Sequence, residues 1–334
     1  MGTPTPPQHR WTIAAFVVAL VTAFAGGVWS MTLSPLEERT ATATPAPASL
    51  PVQQVATTPH RLRLGATLTG AGATVVRGAG APWAVDRGTL STIRSGVATV
   101  VARGAWTSDS LLTPANDGSM WLASGRFLWP VSTWGTLGAR LSPSVGPISA
   151  VLAADGHTWV AGANGMLAWI DPWTGNTIQS YYLGHGSYQL AAASDYVFVA
   201  TSDPSEAPIV RLDPTVGATV SVPGAQTGPI AVANGRLWWG SADGIRCVVA
   251  KTLQRCGRID VAMPTLIAAH GRALWVVSAG SHGAEVALFE AKSGRPIAGP
   301  VVLPGSTAAS IAASGTTAWV GLRDTDTLVQ VTRS

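Results

Sequence analysis

Self-similarity is the feature that most constrains this chain. A unit of about 39 residues recurs from residue 61 to the end, and such a repeat sets the architecture before any motif is weighed. In each copy a tight turn is followed by an aromatic and then by small or β-branched residues. The copies read Gly80-Ala81-Pro82-Trp83-Ala84, Gly118-Ser119-Met120-Trp121-Leu122, Asp155-Gly156-His157-Thr158-Trp159-Val160 and Ser194-Asp195-Tyr196-Val197-Phe198-Val199. They continue as Asn234-Gly235-Arg236-Leu237-Trp238, Gly271-Arg272-Ala273-Leu274-Trp275-Val276 and Gly315-Thr316-Thr317-Ala318-Trp319-Val320. The aromatics at 83, 121, 159, 198, 238, 275 and 319 lie 38, 38, 39, 40, 37 and 44 residues apart, which makes seven copies.

The interior of each copy is also repeated. A short Ala-rich strand such as Ile148-Ser149-Ala150-Val151-Leu152-Ala153-Ala154 precedes the turn, and two further strands follow the aromatic one. The third and fourth strands join at turns such as Ile170-Asp171-Pro172-Trp173-Thr174-Gly175, Leu212-Asp213-Pro214-Thr215-Val216-Gly217 and Glu290-Ala291-Lys292-Ser293-Gly294. Asp-Pro opens such a turn because Pro presets φ, and the closing Gly accepts positive φ. Helical periodicity is absent here. Four strands in about 40 residues mark the blade of a β-propeller, so the expected fold is all-β, with seven four-stranded blades. Small side chains on the first strand suit convergence on a central channel, and the recurrent Trp fills the wider gap between blades. The last copy lacks a fourth strand, while Arg61-Leu62-Arg63-Leu64-Gly65-Ala66-Thr67-Leu68 alternates like one. This N-terminal strand is expected to complete the last blade and remove exposed edges.

The Gly-x-x-Trp-Val and Leu-Asp-Pro-x-x-Gly elements resemble those of YVTN-type seven-bladed propellers. More distantly, they resemble streptogramin-lyase-like and quinoprotein-like repeats, over residues 61 to 334. The lyase resemblance implies metal-binding acids at the end of the second strand. Here that slot reads Asp86, Ser124, Gly162, Thr201, Ser241, Ser278 and Leu322, a single acid. The vicinal cysteines and cofactor cage implied by quinoproteins are missing, and no cofactor is expected.

The N-terminus has a different character. Trp11 to Leu33 is a charge-free run of 23 residues, enough for a transmembrane helix across about 30 Å of hydrocarbon. Trp11 and Trp29 lie near its ends, where indoles favour the lipid–water boundary, and His9 and Arg10 precede it. The expected layout is a cytoplasmic tail over 1–10, a signal anchor over 11–33, a Pro/Ala/Thr-rich stalk over 34–60 and an exported ectodomain over 61–334. The stalk would reach about 80 Å when extended. The competing reading is a secreted protein cleaved near Ala25, after the small-x-small sequence Ala23-Phe24-Ala25. Both readings place the propeller outside the cytoplasm, in the periplasm or beyond the cell.

Composition fits this layout. Charged residues make up 11% of the chain, against roughly 25% in ordinary soluble domains. The net charge of +4 comes from scattered Arg rather than the dense stripe that nucleic acid requires. The only cysteines, Cys247 and Cys256, flank the third-to-fourth turn of the fifth copy, within reach of one another across a hairpin. An exported compartment would oxidise them to a structural disulfide.

Candidate binding residues come from second-to-third loops and inter-blade connections, which form the channel mouth of a propeller. They are Asp86, Arg87, Arg126, Asp203, Glu206, Asp243, Arg323, Asp324 and Asp326. His185, His282 and Glu285 lie in the same class of loops and are the weak candidates for acid–base or metal chemistry. No metal site, nucleotide loop or nucleophile elbow is legible. Trp134 and Trp173 occupy the third-to-fourth turn of successive copies, on the opposite face, and are candidates for binding a protein partner. The expected role is non-catalytic: a membrane-anchored binding or assembly module, for instance an accessory subunit of a membrane complex. The alternative is a lyase or hydrolase acting on a small molecule at the channel mouth. A third reading, a sensor ectodomain, would have to signal through a partner, because the tail of ten residues holds no signalling domain.

Overall fold

A computed structural model describes residues 60–334 apart from Ala73, Ala79, Ser108, Asn116, Pro204, Ser205 and Ser306. The expected tail, span and stalk, and the cleavage site near Ala25, lie outside the described residues. Among those residues no helix is long and apolar enough to cross a membrane.

The closing strand is β1 (Leu62–Thr69). Blade 1 holds β2 (Thr74–Arg77), β3 (Pro82–Asp86), β4 (Thr89–Arg94) and β5 (Val97–Arg103). Blade 2 holds β6 (Leu111–Pro114), β7 (Met120–Ser124) and β8 (Phe127–Val131). Blade 3 runs through β9 (Ile148–Ala154), β10 (His157–Gly162), β11 (Met166–Ile170) and β12 (Thr177–Tyr182). Blade 4 runs through β13 (Tyr188–Ala193), β14 (Tyr196–Thr201), β15 (Ile209–Asp213) and β16 (Ala218–Ser221). Blade 5 comprises β17 (Ile230–Ala233), β18 (Arg236–Ser241), β19 (Gly244–Val249) and β20 (Arg255–Ile259). Blade 6 comprises β21 (Pro264–His270), β22 (Ala273–Gly280), β23 (Gly283–Glu290) and β24 (Pro296–Val302). Blade 7 ends the chain with β25 (Ala308–Ser314), β26 (Thr317–Leu322) and β27 (Thr327–Arg333).

All seven sheets are antiparallel meanders, and the seventh has the order β1-β27-β26-β25. Leu62 pairs with Arg333 and Thr69 with Thr327, so the N-terminal strand closes the last blade. The first strands of neighbouring blades touch in an unbroken cycle, β2 to β6, β9, β13, β17, β21, β25 and back to β2. The ring is closed.

Seven apolar clusters fill the gaps between blades, and each contains one anchor aromatic. Trp83 packs on Leu112 and Leu122 of the next blade, and Trp319 packs on Val75 and Ile93 across the closure. Large indoles fit here because the gap widens away from the axis. The register revises the reason for the Ala-rich first strands. In four blades Phe198, Trp238, Trp275 and Trp319 lie directly across from Ala191, Ala231, Ala268 and Ala312, which make room for the ring on the same sheet face, whereas Trp83, Trp121 and Trp159 face Val76, Thr113 and Leu152. The channel itself is lined by small and larger side chains together, Ser149, Ala150, Ala309 and Ser310 beside Leu112, Leu190 and Ile267.

One further expectation is corrected, and the expected disulfide forms with a shift of register. Blade 2 has three strands rather than four. Pro130 gives β8 no N–H at that position, and the following segment returns through isolated bridges, Val131 to Leu137 and Leu128 to Leu141. Gly138 donates its N–H to the Pro130 carbonyl at 2.8 Å, and a Cβ there would lie 2.6 Å from the Pro130 ring. Cys247 and Cys256 are joined with a Cα–Cα distance of 5.4 Å, but they are not directly opposed. Cys247 faces Gly257, and a bulge after it carries Cys256 into reach.

Candidate functional site: the two faces of the ring

A meandering blade sends its turns alternately to two faces. Second-to-third turns and inter-blade connections form the upper face, whereas first-to-second and third-to-fourth turns form the lower face. The turn chemistry is local. Asn234 and Gly235 both take positive φ, at 50° and 67°, which a two-residue hairpin turn of this hand requires.

The upper face opens into the channel, a cavity of about 1070 Å³ lined by all seven blades. Of the residues expected at its mouth, Asp86, Arg87, Arg323 and Asp326 line it. Asp109, from the connection between blades 1 and 2, joins them and was missed. Its Ser-Asp-Ser context in an inter-blade connection was the available signal. The mouth thus sets three carboxylates beside two guanidinium groups, above a largely aliphatic wall. Most polar side chains on that wall are already engaged. Thr113 Oγ1 donates to the Val151 carbonyl at 3.0 Å, Ser310 Oγ accepts from Val75 N at 2.8 Å, and Gln189 Oε1 accepts from Ile230 N at 3.1 Å. Each of these bonds links one blade to another. Among the described residues no His or Cys lines the channel.

The other upper-face candidates lie outside the cavity lining. Asp243 accepts hydrogen bonds from Ser241 Oγ at 2.6 Å and from the Arg246 guanidinium at 2.5 Å, which hold its carboxyl down at about 2. It serves its own turn. Arg126 and Arg140 lie over the Phe127 ring. Glu206 lines a separate cleft of about 220 Å³ with Tyr182, Gly184 and Tyr188, where burial raises the Tyr188 phenol. Asp203 donates its backbone N–H to Thr201 Oγ1, and Asp324 lies where a Cβ on Gly305 would sit. His185 stands edge-on to Tyr182, His282 is exposed at the β22–β23 turn, and Glu285 pairs with Ser278 in that hairpin. Among the described residues no three His, Cys, Asp or Glu are grouped to hold a metal ion, so His185, His282 and Glu285 are not brought together as one.

The lower face is different. Trp134 and Trp173 are 83% and 86% exposed, and Val216 fills the same turn of blade 4 at 72%. Three successive blades therefore present a large apolar side chain from the same turn, with Val216 one position later in it than the two tryptophans. The turns beneath are rigidly built. Asp171 Oδ1 accepts from the N–H groups of Trp173 and Thr174, at 2.9 and 2.8 Å, and these bonds lower its carboxyl below the usual range. Ser132 Oγ accepts from Trp134 N and Thr136 N. Charge divides this face as well. Asp117, Asp155, Asp171, Asp195 and Asp213 occupy the turns of blades 2 to 4, while Lys251 and Lys292, the only lysines, sit in those of blades 5 and 6. The basic residues are scattered along the sequence yet gather in one sector of this face. The signal lay in the slot they share, with Asp-Pro in two copies and Lys in the next two.

No family model matches this sequence, and no curated protein matches it. Solved structures do. BamB from Moraxella catarrhalis aligns with a TM-score of 0.57 at 12% identity, over 81% of this chain and 97% of that one. The WD40 β-propeller domain of Doa1 aligns with a TM-score of 0.63 at 17% identity, over 82% and 97%. At such identities the likeness shows the fold: this chain is a seven-bladed β-propeller.

Proposed function

We propose that the chain is a membrane-tethered, extracytoplasmic protein-binding or assembly module, and that its partner docks on the lower face at blades 2 to 4. The observation that carries this reading is the row of Trp134, Trp173 and Val216, held out on rigid turns of consecutive blades. Trp is among the residues most enriched at the energetic centre of interfaces, and large apolar side chains lined up on one face mark a surface for a partner. The anchor and export rest on the charge-free run from Trp11 to Leu33 and its basic flank. The test is affinity purification of the full chain from membranes in mild detergent, beside a Trp134→Ser, Trp173→Ser variant. A stoichiometric partner that the wild type retains and the variant loses is expected. A free monomer in both preparations sinks the reading.

A small-molecule site at the channel mouth is the second reading, supported by Asp86, Arg87, Asp109, Arg323 and Asp326 around one cavity. It requires turnover or ligand-induced stabilisation that an Arg87→Ala, Arg323→Ala chain lacks.

A further inference from the structure

The lower-face turns of blades 5, 6 and 1 carry Arg77, Arg94, Lys251, Arg272, Lys292 and Arg295. Glu290 is the one acidic side chain among the described residues of this sector, and it is bonded to Arg295 at 3.3 Å. Between blades 7 and 1 the same face opens a cavity of about 620 Å³. Its lining includes Arg77, Arg94, Ser95, Ser314, Thr317 and Gln330, and no carboxylate. Two guanidinium groups, three hydroxyls and an amide are the donor set that a phosphate takes. The chain also enters here. Ser334 N donates to the Arg61 carbonyl at 3.0 Å, so whatever precedes residue 60 leaves from the lower face of blade 7, within the basic sector. Twenty-seven residues separate Leu33 from Arg61.

We propose that this basic sector rests on the anionic surface of the bilayer that anchors the chain, with a lipid phosphate held in the cavity between Arg77 and Arg94. The inference rests on the anchoring reading given above. A tether of this length keeps the propeller at high local concentration over the bilayer, so attractions that are individually weak suffice for docking. The charge division sets the orientation. An anionic surface attracts blades 5, 6, 7 and 1 and repels the Asp-bearing blades 2 to 4, so the ring tilts. Trp134 and Trp173 then stay open to a partner held in the same membrane.

The test uses the full chain reconstituted into vesicles of phosphatidylcholine, alone or with about 30 mol % phosphatidylglycerol, and read by amide hydrogen exchange. Anionic vesicles are expected to slow exchange roughly fivefold or more in the turns over 77–82, 93–97, 271–273 and 291–295, but not over 154–156 and 171–175. High salt should abolish the effect. An Arg77→Gln, Arg94→Gln chain should lose the slowing at 77–82 and 93–97, with exchange in β22 unchanged as evidence that the ring is intact. Equal exchange in both vesicle types, from a chain that still resists carbonate extraction, overturns the proposal and leaves the anchor standing. Release by carbonate overturns the anchor and the proposal with it. Slowing by inorganic phosphate in detergent, with nothing added by anionic vesicles, assigns the cavity to a free anion and overturns lipid docking. Slowing that requires an added membrane protein rather than lipid gives the surface to an acidic partner and overturns it too.

Discussion

The anchor positions hold similar side chains, but their indole N–H groups are not equivalent. Trp238 Nε1 donates to the Ala291 carbonyl at 3.2 Å, across the gap between blades 5 and 6. Trp275 Nε1 is buried with no partner among the described residues. Replacing Trp238 with Phe removes a buried hydrogen bond and orphans a carbonyl, whereas the same change at Trp275 relieves an unsatisfied donor. Trp238→Phe should therefore cost about 1 kcal/mol more than Trp275→Phe, measured by urea unfolding of the purified protein. Phe198, already present in the equivalent slot of blade 4, shows that the ring size is tolerated. His270 gives a pH dependence. Burial, and secondarily the Arg77 charge, depress its proton affinity below the ordinary 6.5. The unfolded chain thus takes up a proton first as pH falls below about 6.5. Stability declines from there and levels off once the folded imidazole is also charged. Melting curves between about pH 7.5 and 5 should show this slope, and His270→Gln should remove it. The sequence showed which residues anchor the gaps, because the repeat exposes them. Hydrogen-bond partners such as Ala291, one blade away, have no local signature.

At the level of elements, the blade pattern was legible wherever turn chemistry repeats, and failed in blade 2, where it does not. Residues 132–145 hold Gly135, Gly138 and Pro143 without the alternation of a strand, and Pro130 had already weakened the ladder that a fourth strand would need. The cysteine pair was readable from its spacing around a hairpin turn, while the bulge that offsets it was not, since nothing in Arg255-Cys256-Gly257 marks Cys256 as the extra residue. The disulfide closes a short loop, with a sequence separation of 9, so its entropic effect is bounded at about 2–3 kcal/mol. Replacing both cysteines with Ala should lower stability by no more than that. The faster hydrogen exchange should stay within β19 and β20. Fraying that spreads into blades 4 and 6 would show that the bond supports the ring rather than the hairpin.

For the whole molecule, the pairing of β1 with β27 ties the N-terminal strand to the last blade and so reinforces the closure that β25 and β2 make at the channel. Strand number alone is not what matters. Blade 2 stands with three strands, since its outer edge is partly covered by Leu137 and Leu141. Blade 7 has no such cover. Without β1 the outer edge of β27 would be bare, and Leu62, buried in the cluster shared by blades 6 and 7, would be gone. The same strand fixes where the chain enters the ring, so it couples stability to the orientation proposed at the membrane. A chain lacking 60–69 should melt at least about 5 °C lower, measured by scanning calorimetry, and should associate with rising concentration in light scattering. Removing 50–59 instead, an equal length of stalk, should change neither. If both deletions melt together and stay monomeric, the ring is held by its inner strands and inter-blade aromatics, and closure by β1 contributes only the tether.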